Sequence, residues 1–72
     1  MAYTVKQARR LAGYTQQEMA DELHIHRTTY IKLEENPESF TVGQAKVISR
    51  KTKIPIDDIF FTNNSTESRA VG

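Results

Sequence analysis

The stretch Thr15-Gln16-Gln17-Glu18-Met19-Ala20-Asp21-Glu22-Leu23-His24-Ile25-His26-Arg27-Thr28-Thr29-Tyr30-Ile31-Lys32-Leu33-Glu34 decides how this chain folds. Met19, Ala20 and Leu23 recur at helical spacing and share one face. Tyr30 and Leu33 do the same in a second helix. Only a few residues around the apolar Ile25 separate the two. Helices joined so tightly must cross at a steep angle, and Ala20 is small where they approach. The only two histidines of the chain, His24 and His26, lie in or beside this turn.

Outside the stretch, a local pattern marks helix starts. An aromatic precedes Thr, and Gln or Glu follows three residues after it, then an apolar residue. The pattern occurs at Tyr3-Thr4 with Gln7-Ala8, at Tyr14-Thr15 with Glu18-Met19, and at Phe40-Thr41 with Gln44-Ala45. Each is a capping box: the Thr hydroxyl accepts from a first-turn amide and the Glx side chain accepts from the Thr amide. The aromatic staples the turn onto the apolar residue. Stops follow from backbone chemistry. Gly13 closes the first helix in a left-handed conformation, and Asn36 before Pro37 is expected to close the third in the same way. Pro55 pre-sets a short last helix whose positive end suits Asp57 and Asp58. Nothing alternates as a strand does. The expected elements are helices near 4–12, 15–23, 26–35, 41–52 and 55–61, in one domain over 1–61. The polar residues 62–72 are expected to form a disordered tail.

Composition narrows the function. A chain of 72 residues buries only about 60% of its unfolded surface. It has no cysteine, which excludes disulfides and thiolate metal sites. No apolar run is long enough to span a membrane and no secretory leader is legible, so a cytoplasmic protein is expected. The net charge of +1 does not itself announce a nucleic-acid binder. Charge is segregated instead. Glu34, Glu35 and Glu38 cluster in the middle, and Lys46, Arg50, Lys51 and Lys53 follow without an acid among them. That basic run ends a helix, where cations complement the negative end of the dipole. No carboxylate pair, Ser/His/Asp set or phosphate-cradling glycine loop suggests an enzyme, and no cofactor or small-molecule substrate is expected.

The crossing pair is a helix-turn-helix, and the residues around it resemble the phage repressor and Cro family. The resemblance is carried by Gln16-Gln17-Glu18-Met19-Ala20 through Leu23, Ile25, Tyr30 and Leu33-Glu34, by Ala8-Arg9-Arg10 and Gly13-Tyr14-Thr15-Gln16, and by Ile54-Pro55-Ile56-Asp57-Asp58-Ile59-Phe60. It covers roughly residues 4–61 and implies an all-α, compact five-helix, lambda-repressor-like domain. It also implies a sequence-specific DNA-binding transcriptional regulator with a double-stranded operator as partner. The short chain leads to the expectation of a Cro-like version without a separate oligomerisation or cleavage domain, the alternative being the excised DNA-binding domain of a longer repressor.

Against that resemblance the histidines have plain readings. His24 fills the turn position where the family usually has Gly, and His tolerates a left-handed backbone better than most residues. His26 stands where a cap of helix three belongs. A zinc site would require further ligands, which spacing does not single out, and no metal is expected. The outer face of helix three carries Arg27, Thr28, Ile31 and Lys32. Arg or Lys can donate to guanine, and Thr or Ile can meet a thymine methyl, so these four are the candidate base contacts. The resemblance puts base reading on Arg27, Thr28 and Lys32. The alternative is an ordinary solvated face. Candidate phosphate contacts are Thr15, Gln16, His26, Ser39 and Thr41, with Gln16 opening a helix where free amides favour an anion. Arg10 and Lys6 read first as surface residues, with DNA contact as the alternative. The resemblance makes Arg9 and Glu34 a structural ion pair between helices one and three.

Some features depart from the family. Acidic Glu35 and Glu38 stand where relatives often carry phosphate-binding cations, which predicts a shallow salt dependence. Tyr30 replaces a smaller aliphatic residue, and its hydroxyl needs a partner. Ile56, Ile59, Phe60 and Phe61 exceed what one buried stripe requires. Some complete the core, and the rest are expected to form a weak homodimer, complete only on DNA. The competing function is an antitoxin-like protein-interaction module that uses this apolar C-terminal helix.

Overall fold

The computed structural model describes residues 3–60. Phe61 and the expected tail at 62–72 lie outside the described residues. The described chain is all-helical. Helices α1 (Val5–Ala12), α2 (Gln16–Leu23), α3 (Arg27–Glu35), α4 (Val42–Thr52) and α5 (Ile56–Phe60) follow one another, with a 3-10 turn at Pro37–Ser39 between α3 and α4. Each helix begins one residue later than the sequence reading put it, because the capping residue itself has an extended backbone.

All three capping boxes form. Thr4, Thr15 and Thr41 accept from Gln7, Glu18 and Gln44 at 3.0 Å and donate their own amides back at 2.8–2.9 Å. The three aromatics ahead of them, Tyr3, Tyr14 and Phe40, pack against the core as staples.

Two helix ends use one device with different residues. Gly13 has φ +86 and donates to Arg10, while Tyr14 donates to Arg9. His24 has φ +59 and donates to Asp21, while Ile25 donates to Ala20. Both are Schellman closures, which use the last free carbonyls of the helix and bring in an apolar residue behind the cap. A Cβ on Gly13 would touch nothing within 4 Å, so its backbone angle alone favours glycine there. Lys53 closes α4 with φ +62 through a single bond to Ser49. Nothing in its residue type announced this.

Asn36 corrects the sequence reading. Its φ is −134 and its ψ 75, not left-handed. The following Pro37 crowds the preceding residue out of helical space and toward extended angles. The chain then turns through Pro37–Ser39, where Ser39 and Phe40 donate to Asn36 and Pro37 and the Asn36 side chain donates to the Ser39 hydroxyl.

Every helix contributes to the core: Val5 and Ala8, Met19 and Ala20, Tyr30, Ala45 and Ile48, and Ile59. Ile59 is therefore corrected from a candidate dimer contact to a core residue. It faces inward from a short helix whose backbone accepts the Tyr3 amide through Asp58. Phe60 is half-buried and meets Phe40 edge-on at 5.6 Å. Lys51 bonds Glu22 at 3.0 Å, which ties the end of α4 to α2 and takes one cation out of the basic run.

Candidate nucleic-acid interface

Glu34 lies where α1, α2 and α3 meet. Its side chain is 5% exposed and that of Arg9 is 8% exposed. Oε2 accepts from Arg9 Nε at 2.8 Å and from the Tyr30 hydroxyl at 2.7 Å. Oε1 accepts from Gln16 Nε2 at 3.1 Å and from Arg9 Nη2 at 3.4 Å. Arg9 Nη1 donates to the Tyr14 carbonyl at 2.8 Å, so the guanidinium also fixes the loop before α2. The ion pair expected from the resemblance is present, and the Tyr30 hydroxyl has its partner. Burial opposes the charge on Glu34, but the bonds from Arg9, Tyr30 and Gln16 outweigh it and hold its pKa below the usual carboxylate value. Burial likewise opposes the Arg9 charge, and Glu34 overcomes it, raising the pKa. The Tyr30 hydroxyl is pushed well up, first by burial and then by the adjacent carboxylate.

On the other side of α3, Arg27, Thr28 and Lys32 are exposed, as is Thr29. Ile31 is half-buried, which corrects the expectation of an openly exposed apolar side chain. It follows Tyr30 by about 100° around the helix and so sits at the rim of the buried stripe. The start of α3 differs from those of α1, α2 and α4. His26 is in the cap position with an extended backbone, but its exposed side chain makes no cap hydrogen bond. It gives the helix only its carbonyl, which accepts from Tyr30. His24 and His26 lie near Asp21, whose Oδ1 is taken by Gln17 Nε2 at 2.9 Å. Among the described residues no cluster of three or more His, Asp or Glu is arranged to hold a metal.

An open cleft runs along the start of α2. Thr15, Gln16 and Gln17 line it together with Arg27 from α3 and Lys6 and Arg10 from α1. Thr15 is spent at two of its polar groups: its amide donates to Glu18 and its hydroxyl oxygen accepts from Glu18. Its backbone amide is therefore already committed within the cap. Among the described residues, nothing accepts from the amides of Gln16 and Gln17, and these point from the positive end of the helix. Thr41 is capped in the same way and lines a different groove with Phe40, Val42 and Phe60. Exposed Ser39 accepts from Asn36.

The sequence reading left DNA contact by Lys6 and Arg10 open without placing them beside Gln16, and it did not single out Gln17. The four-residue spacing of Lys6 and Arg10 signals a shared helix face. Only the tertiary fold, which brings α1, the start of α2 and Arg27 to one cleft, gives that face its neighbours.

The helix-turn-helix family model matches residues 5–59, which spans the described helices almost end to end. Comparisons with curated proteins and with solved structures return no significant match. Among the described residues no helix is long and apolar enough to cross a membrane. With Ala20 at the crossing of α2 and α3, His24 in the left-handed turn and the outer face of α3 clear of its own core, the chain belongs to the Cro/C1-type helix-turn-helix family of DNA-binding transcription regulators.

Proposed function

We propose that the chain reads a two-fold symmetric operator, in the manner of a phage-type Cro or repressor, by inserting α3 into the major groove. Arg27, Thr28 and Lys32 are the base-reading residues, with Ile31 able to reach a thymine methyl only from the rim of the helix. Gln16 and the amides of Gln17 and Gln16 itself meet a phosphate, flanked by Lys6 and Arg10. The observation that carries this reading is the cleft that joins the open start of α2 to Arg27 and two cations of α1. His26, Ser39 and the Thr15 and Thr41 hydroxyls are secondary phosphate contacts. Two-fold pairing would use half-buried Ile56 and Phe60 together with Phe61, bringing two copies to half-sites about one DNA turn apart.

A second reading is favoured by the apolar groove formed by Phe40, Val42, Ala45 and Phe60, where Val42 is 67% exposed. It makes the domain an antitoxin-like protein-interaction module. Selection from a pool of random duplexes separates the two. Wild type should enrich a symmetric site, and Arg27→Ala/Thr28→Ala/Lys32→Ala should enrich none. Failure of wild type to enrich any sequence at low salt sinks the DNA-reading proposal. Protein binding that survives the triple substitution but is lost with Val42→Asp supports the second reading.

A further inference from the structure

We propose that Glu34 is a positioning residue for the phosphate contact of α2, an inference that rests on the DNA-reading proposal. The Gln16 amide is held at the cleft by one Nε2 hydrogen, bonded to Glu34 Oε1 at 3.1 Å. A carboxylate only accepts, so it fixes which end of the amide faces it, and the second Nε2 hydrogen remains to donate to a phosphate. The carboxylate is itself locked by three more donors, Arg9 Nε, Arg9 Nη2 and the Tyr30 hydroxyl. Four donors match the acceptor capacity of a carboxylate, and one of the groups supplying them is a cation. The negative charge of Glu34 is thereby consumed inside the protein rather than presented to the phosphate.

The same arrangement orders the backbone on the other side of the contact. Arg9 Nη1 holds the Tyr14 carbonyl at 2.8 Å, immediately before the cap residue of α2. Glu34 therefore governs both the side chain and, through Arg9, the loop that delivers the free amides of Gln16 and Gln17. A long glutamine side chain loses rotamer freedom when it binds, and holding it beforehand removes part of that cost from the complex. Tyr30, the aromatic that stands in for a smaller residue of the family, is a positioning residue one step further back.

The test is a double-substitution cycle on the full chain. Affinity for a duplex recovered by selection, its salt dependence and the melting temperature are measured for wild type, Gln16→Ala, Glu34→Gln and the pair. Gln16→Ala should weaken binding about tenfold in wild type, the size of one hydrogen bond to a charged group. It should weaken binding less than about threefold in Glu34→Gln, because a side-chain amide can donate as well as accept and no longer fixes which end of Gln16 faces the phosphate. The salt slope should stay constant, since Gln16 is neutral and releases no counterion. A purely structural Glu34 lowers the melting temperature yet leaves the Gln16→Ala cost the same in both backgrounds, and that result overturns the proposal. Should Glu34→Gln fail to fold, the Gln16 side-chain amide resonance of wild type decides. A shift on adding the duplex supports the proposal, and an unmoved resonance overturns it. Absence of any duplex binding removes the DNA-reading proposal as well, whereas binding that ignores Gln16→Ala removes this inference alone.

Discussion

The two faces of α3 differ in how their polar groups are satisfied. On the inner face, Tyr30 is fully buried and Glu34 takes four hydrogen bonds from three residues. No buried side-chain polar atom among the described residues lacks a partner. On the outer face, Arg27, Thr28 and Lys32 are exposed, and the helix starts without a side-chain cap, although α1, α2 and α4 each have a complete capping box. The inner face is committed to holding three helices together. The outer face gives up local stabilisation, and its donors stay available to something outside the chain. A domain this small does both within nine residues because a helix turns opposite sides of one element to core and solvent.

The contrast can be broken most severely from inside. Glu34→Ala leaves the Arg9 charge buried without its partner and should cost about 3–5 kcal/mol, measured by urea unfolding. A loss under about 1 kcal/mol would show that the pair contributes no more than a surface one. The pH dependence follows with its sign. Glu34 has a lowered folded pKa, so its contribution is complete above the unfolded value, roughly 4.3, and fades as pH falls through the folded value. Tyr30 has a raised folded pKa, so its contribution is complete below about pH 10 and fades above it. Melting temperature across pH in wild type and Tyr30→Phe tests both arms: the variant should lose the alkaline decline attributable to Tyr30 and keep the acid one.

Tyr30→Phe at neutral pH is the next largest effect. It keeps the ring against Phe40, 6.1 Å away, and removes one donor to a charged acceptor. The expected loss is about 1.5–3 kcal/mol. A neutral result would mean that Arg9 and Gln16 alone satisfy the carboxylate. His24→Gly acts on the turn between the two helices and should stabilise by about 1 kcal/mol, since glycine takes φ +59 without the Cβ penalty. A destabilised variant would show that the imidazole makes a contribution larger than this strain. The smallest effect belongs to the outer face. Arg27→Ala/Thr28→Ala/Lys32→Ala should move stability by no more than about 0.5 kcal/mol per site, as at an ordinary surface. A larger drop by calorimetry would dissolve the distinction between the faces.

Much of this was legible in the residues. The three capping boxes rest on contacts within four residues, so Thr4, Thr15 and Thr41 announced their helices reliably. Gly13 and His24 were legible for a related reason, because a left-handed cap is a property of one residue and its nearest amides. Asn36 misled because two local preferences competed and the proline prevailed. Lys53 was not legible at all, because lysine has no preference for the left-handed conformation it adopts. That Ile59 is the one of the α5 apolar residues that goes into the core was not legible, because hydrophobic excess in a short helix says how much surface must be covered, not by what.

The sequence by itself determined the helix starts, the tight turn, the cationic and hydroxyl side chains of α3, and the pairing of Arg9 with Glu34 by resemblance. These depend on short-range hydrogen bonding and on periodicity, which the order of residues specifies directly. Tertiary structure alone decided that Lys6 and Arg10 share a cleft with Arg27, that Ile31 is half-covered, and that Gln16 reaches Glu34. The cleft and the Gln16–Glu34 bond join residues 17 to 21 positions apart along the chain, and the angle at which one helix crosses another sets them.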